Sequence, residues 1–310
     1  MEYGRLGDSG LLVSKIGLGT NNFGGRLDRD GTRAVIERAL DQGITLFDTA
    51  DAYGGGKSEE FIGEIVGSRR HDVVIATKFG NQMKDQGKGA SPAYIRQACE
   101  ASLHRLATDR IDLYQLHVPD PAVPIAETLG ALDELVRAGK VREIGCSNFT
   151  ADQLREARAS VRPGAARFVS VQNEYSLVHR EPERDVLPKC ERSGLAFLPY
   201  FPLASGLLTG KYRRGKPAPP GSRISEGGHY ARLLSDQNMA VVEELIRFAE
   251  SRGHTILELA VSWLLSRPVV VSVIAGATRP EQVRANVAAA SWRLSEAELA
   301  EVDAVTSQPA

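Results

Sequence analysis

Cysteine is scarce: Cys99, Cys146 and Cys190 are the 3 in 310 residues. They stand too far apart for a disulfide framework or a C-x-x-C site, which agrees with a reducing compartment. No run approaches the roughly 18 apolar residues of a membrane helix. The N-terminus, M-E-Y-G-R-L-G-D-S-G, lacks the apolar segment of a signal peptide. The expectation is a cytoplasmic protein with no membrane partner. An excess of one charge is also missing. Lys and Arg number 38 against 39 Asp and Glu, a formal net charge of −1, so no nucleic-acid partner is indicated. The 6 histidines are scattered, and no H-E-x-x-H or other close spacing marks a metal site.

What remains is an ordinary globular composition, 42% hydrophobic and 25% charged. The whole of 1–310 reads as one domain, long but within the range of α/β barrels. Tyr3 to Leu6 and Leu11 to Val13 flank a G-D-S-G turn and read as a β-hairpin. Strands are then expected at Ile16–Gly19, Ile44–Phe47, Val73–Thr77, Ile111–Leu116, Val141–Gly145, Phe168–Val171, Ala196–Pro199 and Val269–Ile274. Helices alternate with them: Gly31–Gln42, Ser58–Val66, Pro92–Leu106, Ile125–Ala138, one capped by Thr150, Glu183–Glu191 and Pro280–Ala289.

Alternation of this kind gives a parallel sheet, and eight repeats give a (β/α)8 TIM barrel. Two additions are expected. A Pro/Gly-rich loop from Leu203 to about Leu233 has the length of a lid or a disordered segment. A last helix near Ser295–Val305 opens on S-E-A-E, close to a capping pattern.

In a barrel, polar residues that follow successive strands share one mouth. Here they are Asp48 and Tyr53, Lys78, His117, Ser147 and Asn148, Gln172 and Asn173, and Tyr200. Taken singly, an Asp ending a strand is often a cap and a loop Tyr often just surface. Together they bring a carboxylate, a phenol, an ammonium and an imidazole to one place. A free phenol titrates near ~10, and a Lys beside it lowers that value while an Asp keeps the Lys charged. An imidazole can orient the reacting oxygen or join the proton path. The set suits protonation of a nascent alkoxide. Hydrolysis fits less well, because no G-x-S-x-G elbow is present. No spacing marks a glycosidase pair, although Asp48, Asp51 and Asp120 leave one open.

The stretches D-T-A-D-A-Y-G-G-G-K-S-E-E-F-I-G from Asp48, I-A-T-K at Ile75–Lys78, Y-Q-L-H at Tyr114–His117, I-G-C-S-N-F at Ile144–Phe149 and Y-F-P-L-A-S-G-L-L-T-G-K-Y at Tyr200–Tyr212 resemble the aldo-keto reductase superfamily. They occur in family order over nearly the whole chain. The resemblance implies a catalytic tetrad of Asp48, Tyr53, Lys78 and His117, with Tyr53 the general acid toward a small-molecule carbonyl substrate. It implies an extended nicotinamide cofactor lying along Gly19, Thr20 and Asp48. Ser147, Asn148 and Gln172 would hold the carboxamide, and Tyr200 would stack on the ring. The loop Pro202 to Gly206, including Leu203 and Ser205, with Leu207, would cover the pyrophosphate, and Phe201 and Lys211 would also contact the cofactor. At the adenosine end it points to Ile274, Gly276, Thr278, Arg279, Gln282 and Asn286, with Arg279 favouring NADP(H). Gly276-Ala277 and the order Thr278-Arg279 depart from common patterns, so NAD(H) stays possible.

The family binds its cofactor without a Rossmann fold, and the sequence agrees. The G-x-G-x-x-G candidate at Gly17 has Asn22 for its third glycine, and a Walker A ending at Ser58 would need glycine at Asp51. Substrate contacts are expected from Asn22, Phe23, Tyr53, Phe79, His117, Val118 and Phe201. His71, His104, His179, His229 and His254 read as surface or capping, Trp263 and Trp292 as packing, and Arg213–Lys216 as a solvated loop. The rival reading is a cofactor-binding regulatory protein like the potassium-channel β subunits.

Overall fold

Six-residue runs such as V-I-A-T-K-F and I-D-L-Y-Q-L are buried at every position, as parallel strands covered on both faces must be. A computed structural model describes residues 1–83, 87–225 and 228–306, with side chains omitted at 228–230. Part of the long loop and the His229 side chain therefore lie outside the described residues.

β1 (Tyr3–Arg5) pairs antiparallel with β2 (Leu12–Ser14). Eight parallel strands follow: β3 (Ile16–Gly19), β4 (Leu46–Asp48), β5 (Val74–Phe79), β6 (Ile111–Leu116), β7 (Val141–Ser147), β8 (Phe168–Glu174), β9 (Ala196–Tyr200) and β10 (Val273–Gly276). Each pairs with the next from β3 to β9, and β10 returns to pair with β3. The ring closes where the Phe197 amide donates to the Val269 carbonyl at 2.8 Å. The fold is a (β/α)8 TIM barrel.

The helices are α1 (Arg29–Asp41), α2 (Lys57–Val66), α3 (Pro92–Arg105), α4 (Ile125–Arg137), α5 (Ala151–Ala159), α6 (Val186–Ser193), α7 (Asp236–Glu250), α8 (Ile256–Leu265), α9 (Pro280–Ala288) and α10 (Glu296–Thr306). Their starts follow side-chain chemistry. Ser91 accepts from the Tyr94 amide ahead of Pro92, and Thr150 and Gln153 form a reciprocal capping box. Ser295 and Glu298 bond each other at the start of α10.

Leu6, Leu11 and Val13 of the hairpin pack with Leu46, Val74, Leu113 and Leu198 inside the barrel. The hairpin thus plugs the N-terminal end of the strands, and the opposite rim is left for chemistry.

Most strand and helix ends shift by a few residues from expectation, and the larger differences lie in the last third of the chain. β10 starts at Val273 rather than Val269, because Val269 and Val270 serve the closing contact with Phe197. α7 and α8 have no counterpart in the sequence reading. α8 buries Ile256, Leu259, Ala260, Val261, Trp263 and Leu264, so it has no polar stripe to give a period of 3.6. Trp263 packs between Arg180 and Arg267, and the His254 ring stacks on Trp292 at 4.1 Å. Arg213 ion-pairs with Glu243 and Glu250. No helix among the described residues is long and apolar enough to cross a membrane.

Candidate active site

The register of the barrel brings the strand ends level: Asp48 stands beside Ala76, and Lys78 beside Gln115. Asp48 and Lys78 both point inward and are nearly or wholly buried. The Lys78 ammonium has three hydrogens and meets three acceptors. Asp48 Oδ2 and the Thr49 carbonyl lie at 2.8 Å each, and the Tyr53 hydroxyl at 3.4 Å. Burial works against the charge on Lys78, but Asp48 and Tyr53 outweigh it and its pKa ends above the usual lysine value. The ammonium is therefore permanent at neutral pH.

Asp48 is held from its other side. Its Oδ1 accepts from Gln172 Nε2 of β8 at 2.8 Å and, more weakly, from Gln115 Nε2 of β6 at 3.5 Å. Gln115 escaped the sequence reading, although alternation in Y-Q-L-H places it on the same inward face as a strand-end neighbour of Lys78.

Tyr53 opens a tight turn, Tyr53–Gly56, in which Gly54, Gly55 and Gly56 all have positive φ. A Cβ on Gly54 would sit 2.6 Å from the Phe23 carbonyl, so only glycine lets this turn close. Sequence reasoning has Lys78 lowering the Tyr53 pKa. Lys78 does pull it down, but burial is the larger effect and Asp48 adds to it, so the phenol lies above its usual value. It is protonated at neutral pH.

The His117 amide donates to the Phe79 carbonyl at 2.8 Å, and its ring meets that of Tyr53 edge-on at 5.9 Å. Burial, with Lys78 adding to it, lowers the imidazole to about 3. The ring is neutral, and its buried Nδ1 has no hydrogen-bond partner.

Next to this cluster the Ser147 hydroxyl donates to the Gln172 carbonyl at 2.7 Å. Asn148, at φ 62°, donates to the His117 carbonyl and accepts from the Tyr200 hydroxyl at 2.8 Å. Further left-handed residues cluster on the loop after β9: Phe201, Ala204 and Ser205. Non-glycine strain of this kind persists where surrounding structure dictates it and concentrates at functional sites. Ser147, Asn148, Gln172, Tyr200, Phe201 and Ser205 border one cleft of about 750 Å³, together with Asp48, Tyr53 and His117.

Residues 15–307 match the model of the Aldo/keto reductase family. The chain belongs to that family. It is 37% identical over 98% of its length to Aldo-keto reductase YhdN of Bacillus subtilis (strain 168), covering 93% of that protein. It is 35% identical over 96% of its length to Probable aldo-keto reductase 1 of Glycine max, covering 87% of it. It is also 36% identical over 93% of its length to Probable voltage-gated potassium channel subunit beta of Arabidopsis thaliana, covering 91% of it. The protein is an oxidoreductase of a family that uses nicotinamide cofactors.

The cleft of this aldo/keto reductase has the donor set such a cofactor needs. Gly19, Thr20, Asp48, Ser147, Asn148, Gln172, Tyr200, Phe201, Pro202, Leu203, Ser205, Gly206, Lys211, Ile274, Gly276, Thr278, Arg279, Gln282 and Asn286 all border it. Gln282 Oε1 accepts from both the amide and the hydroxyl of Thr278 at the start of α9. Arg279 is exposed there and ion-pairs with no carboxylate among the described residues. Apolar walls, convergent amides and a guanidinium at a helix N-terminus fit a long dinucleotide.

Four expected contacts lie elsewhere. Phe79 follows Lys78 on β5, so alternation turns it outward, where it packs on Tyr114 at 4.7 Å and is fully buried. Phe23 and Leu207 are also fully buried in the core between barrel and helices. Val118 does not border the cleft. Asn22, Tyr53 and His117 do. Arg223 was missed: its guanidinium donates to Asn22 Oδ1 at 2.7 Å, tying part of the long loop across the cleft. A lone basic residue in P-A-P-P-G-S-R-I carries no periodicity that would have singled it out.

Proposed function

We infer that the protein is an NADP(H)-dependent reductase of aldehydes and ketones that runs in reverse as an alcohol dehydrogenase. The observation that carries this reading is the Tyr53 hydroxyl, a protonated phenol at the cleft within 3.4 Å of a buried ammonium. A bound nicotinamide supplies hydride to the carbonyl carbon. Tyr53 donates its proton to the carbonyl oxygen as negative charge builds there, and Lys78 stabilises the phenolate left behind.

Asp48 keeps Lys78 charged and fixed through the 2.8 Å pair. His117, neutral, can hold the carbonyl oxygen by a ring N–H without competing as an acid. Gln172 uses its amide nitrogen on Asp48, which leaves its oxygen to accept from a carboxamide. Ser147 and Asn148 supply the remaining polar contacts, and Tyr200 the flat face. Arg279 would pair with a 2′-phosphate, which favours NADP(H), while NAD(H) lacks that group and keeps every other contact.

The test is loss of reduced-nicotinamide absorbance with a panel of small aldehydes, in the wild type and in Tyr53→Phe. Turnover by the wild type that collapses in the variant supports the reading. Equal turnover in both removes Tyr53 from its role. The identity with a protein named as a potassium-channel subunit gives a second reading, a cofactor-binding regulator. Tight cofactor binding without turnover of any aldehyde would favour it.

A further inference from the structure

Behind the catalytic tyrosine lies a buried carboxyl with no assigned task. Asp51 sits in the turn between β4 and α2, is 1% exposed and does not border the cleft. Neither of its side-chain oxygens meets a donor at hydrogen-bonding geometry. A carboxylate left so would cost several kcal/mol, on the order of a buried unpaired ion, unless it keeps its proton.

Its neighbours direct most of their donors elsewhere. From α2, Glu59 is fully buried and its two oxygens are taken by Thr77 of β5 and Arg105 of α3. Arg105 uses its Nε on Glu59 and its Nη2 on Ser102. Tyr94 of α3 and Tyr114 of β6 are phenols whose titration Asp51 opposes, and the Tyr114 hydroxyl has no partner either. Lys78 of β5 commits its ammonium to Asp48, Thr49 and Tyr53. Burial foremost, then the Glu59 charge, raises Asp51 to about 7, although the Ala52 amide, Arg105 and Lys78 pull the other way.

Asp51 is also tied to the active site through the main chain. Its amide donates to the Lys78 carbonyl at 3.0 Å, and the Tyr53 amide donates to the carbonyl of Ala50 at 3.1 Å. Any push on Asp51 therefore moves the short turn that carries Tyr53.

We propose that Asp51 is a positioning residue that must stay protonated: as a neutral acid it lets the Ala50–Tyr53 turn close, and as a carboxylate it is repelled by Glu59 and shifts Tyr53 relative to Lys78. This rests on the reading of Tyr53 as the acid. It adds a consequence that Asp48, Tyr53, Lys78 and His117 do not have, a loss of alignment as pH rises through neutrality.

Two measurements on the cofactor-free protein test it without any turnover. In protein labelled with ¹³Cζ-tyrosine, the Tyr53 signal is assigned by its loss in Tyr53→Phe. It is expected to move in the wild type with a midpoint near 7, and in Asp51→Asn to stay at the wild-type low-pH position throughout. The second readout is thermal unfolding. Because the folded acid titrates above its unfolded counterpart, the native state alone holds the proton between the two pKa values, so stability falls across that window as pH rises. The Tm advantage of Asp51→Asn over wild type should therefore be small at about pH 4 and grow toward about pH 7. A Tyr53 signal that is flat in the wild type, or that titrates alike in both proteins, would overturn the proposal. So would a Tm difference that does not change with pH. Absence of turnover in both proteins would instead count against the reductase reading, leaving these two readouts to decide on Asp51.

Discussion

Lys78 Nζ lies 3.4 Å from Tyr53 Oη, and no part of the lysine side chain reaches solvent. A cation in that position lowers the cost of making a phenolate without taking part in the proton transfer. Replacing it with Met should cut kcat by about 10²–10⁴-fold, the usual range for a disabled acid–base group. The same change leaves Asp48 buried and unpaired, which costs about 3–5 kcal/mol. Adding Asp48→Asn to Lys78→Met should recover much of the Tm but none of the activity. Steady-state kinetics and thermal unfolding of the wild type and both variants check this.

His117 should stay neutral through the working pH range. Its folded pKa is lowered to about 3, so between that value and the unfolded imidazole's ~6.5 only the unfolded chain binds the proton. The site thus loses stability as pH falls through that window. His117→Asn removes the effect, and its Tm relative to wild type should improve steadily on acidification. Imidazole ¹⁵N shifts of His117 that do not titrate above about pH 5 would be the direct signature.

Arg279 is exposed at the edge of the cleft, where the proposed function puts the adenosine end of the cofactor. A guanidinium–phosphate pair is worth about 1.5–3 kcal/mol. Arg279→Ala should weaken NADPH binding by roughly ten- to a hundredfold and leave NADH binding within a factor of about two. Fluorescence titration with both dinucleotides measures the split.

Phe79 separates core from pocket. It is fully buried against Tyr114 and away from the cleft, so Phe79→Ala should cost about 3–5 kcal/mol of stability through the cavity it opens. KM for aldehydes should change little in the folded fraction. A large KM change with an unaltered Tm would return Phe79 to the substrate pocket.

Strand ends were the legible part of this molecule. Asp48, Lys78, His117, Ser147, Gln172 and Tyr200 each close or follow a short apolar run, and barrel geometry alone gathers such positions at one rim. Contacts between them were not legible, because the bond from Gln172 to Asp48 spans 124 positions and depends on side-chain reach. At Phe79 strand alternation is the relevant signal, since the inward Lys78 implies an outward successor. α8 hid for the opposite reason, since a segment buried nearly all round shows no face to detect. The state of Tyr53 was out of reach as well: a neighbouring lysine can be guessed from sequence, but the desolvation that outweighs it can only be seen once the turn is folded.

Tyr53 as the proton donor is tested most directly by hydride transfer in a single turnover. Single-turnover transfer from enzyme-bound NADPH to 4-nitrobenzaldehyde can be followed in the wild type and in Tyr53→Phe, with cofactor affinity determined separately for each. The expected result is equal cofactor affinity and a transfer rate that falls by about 10²–10⁴-fold in the variant. Equal affinity with an equal rate would contradict it.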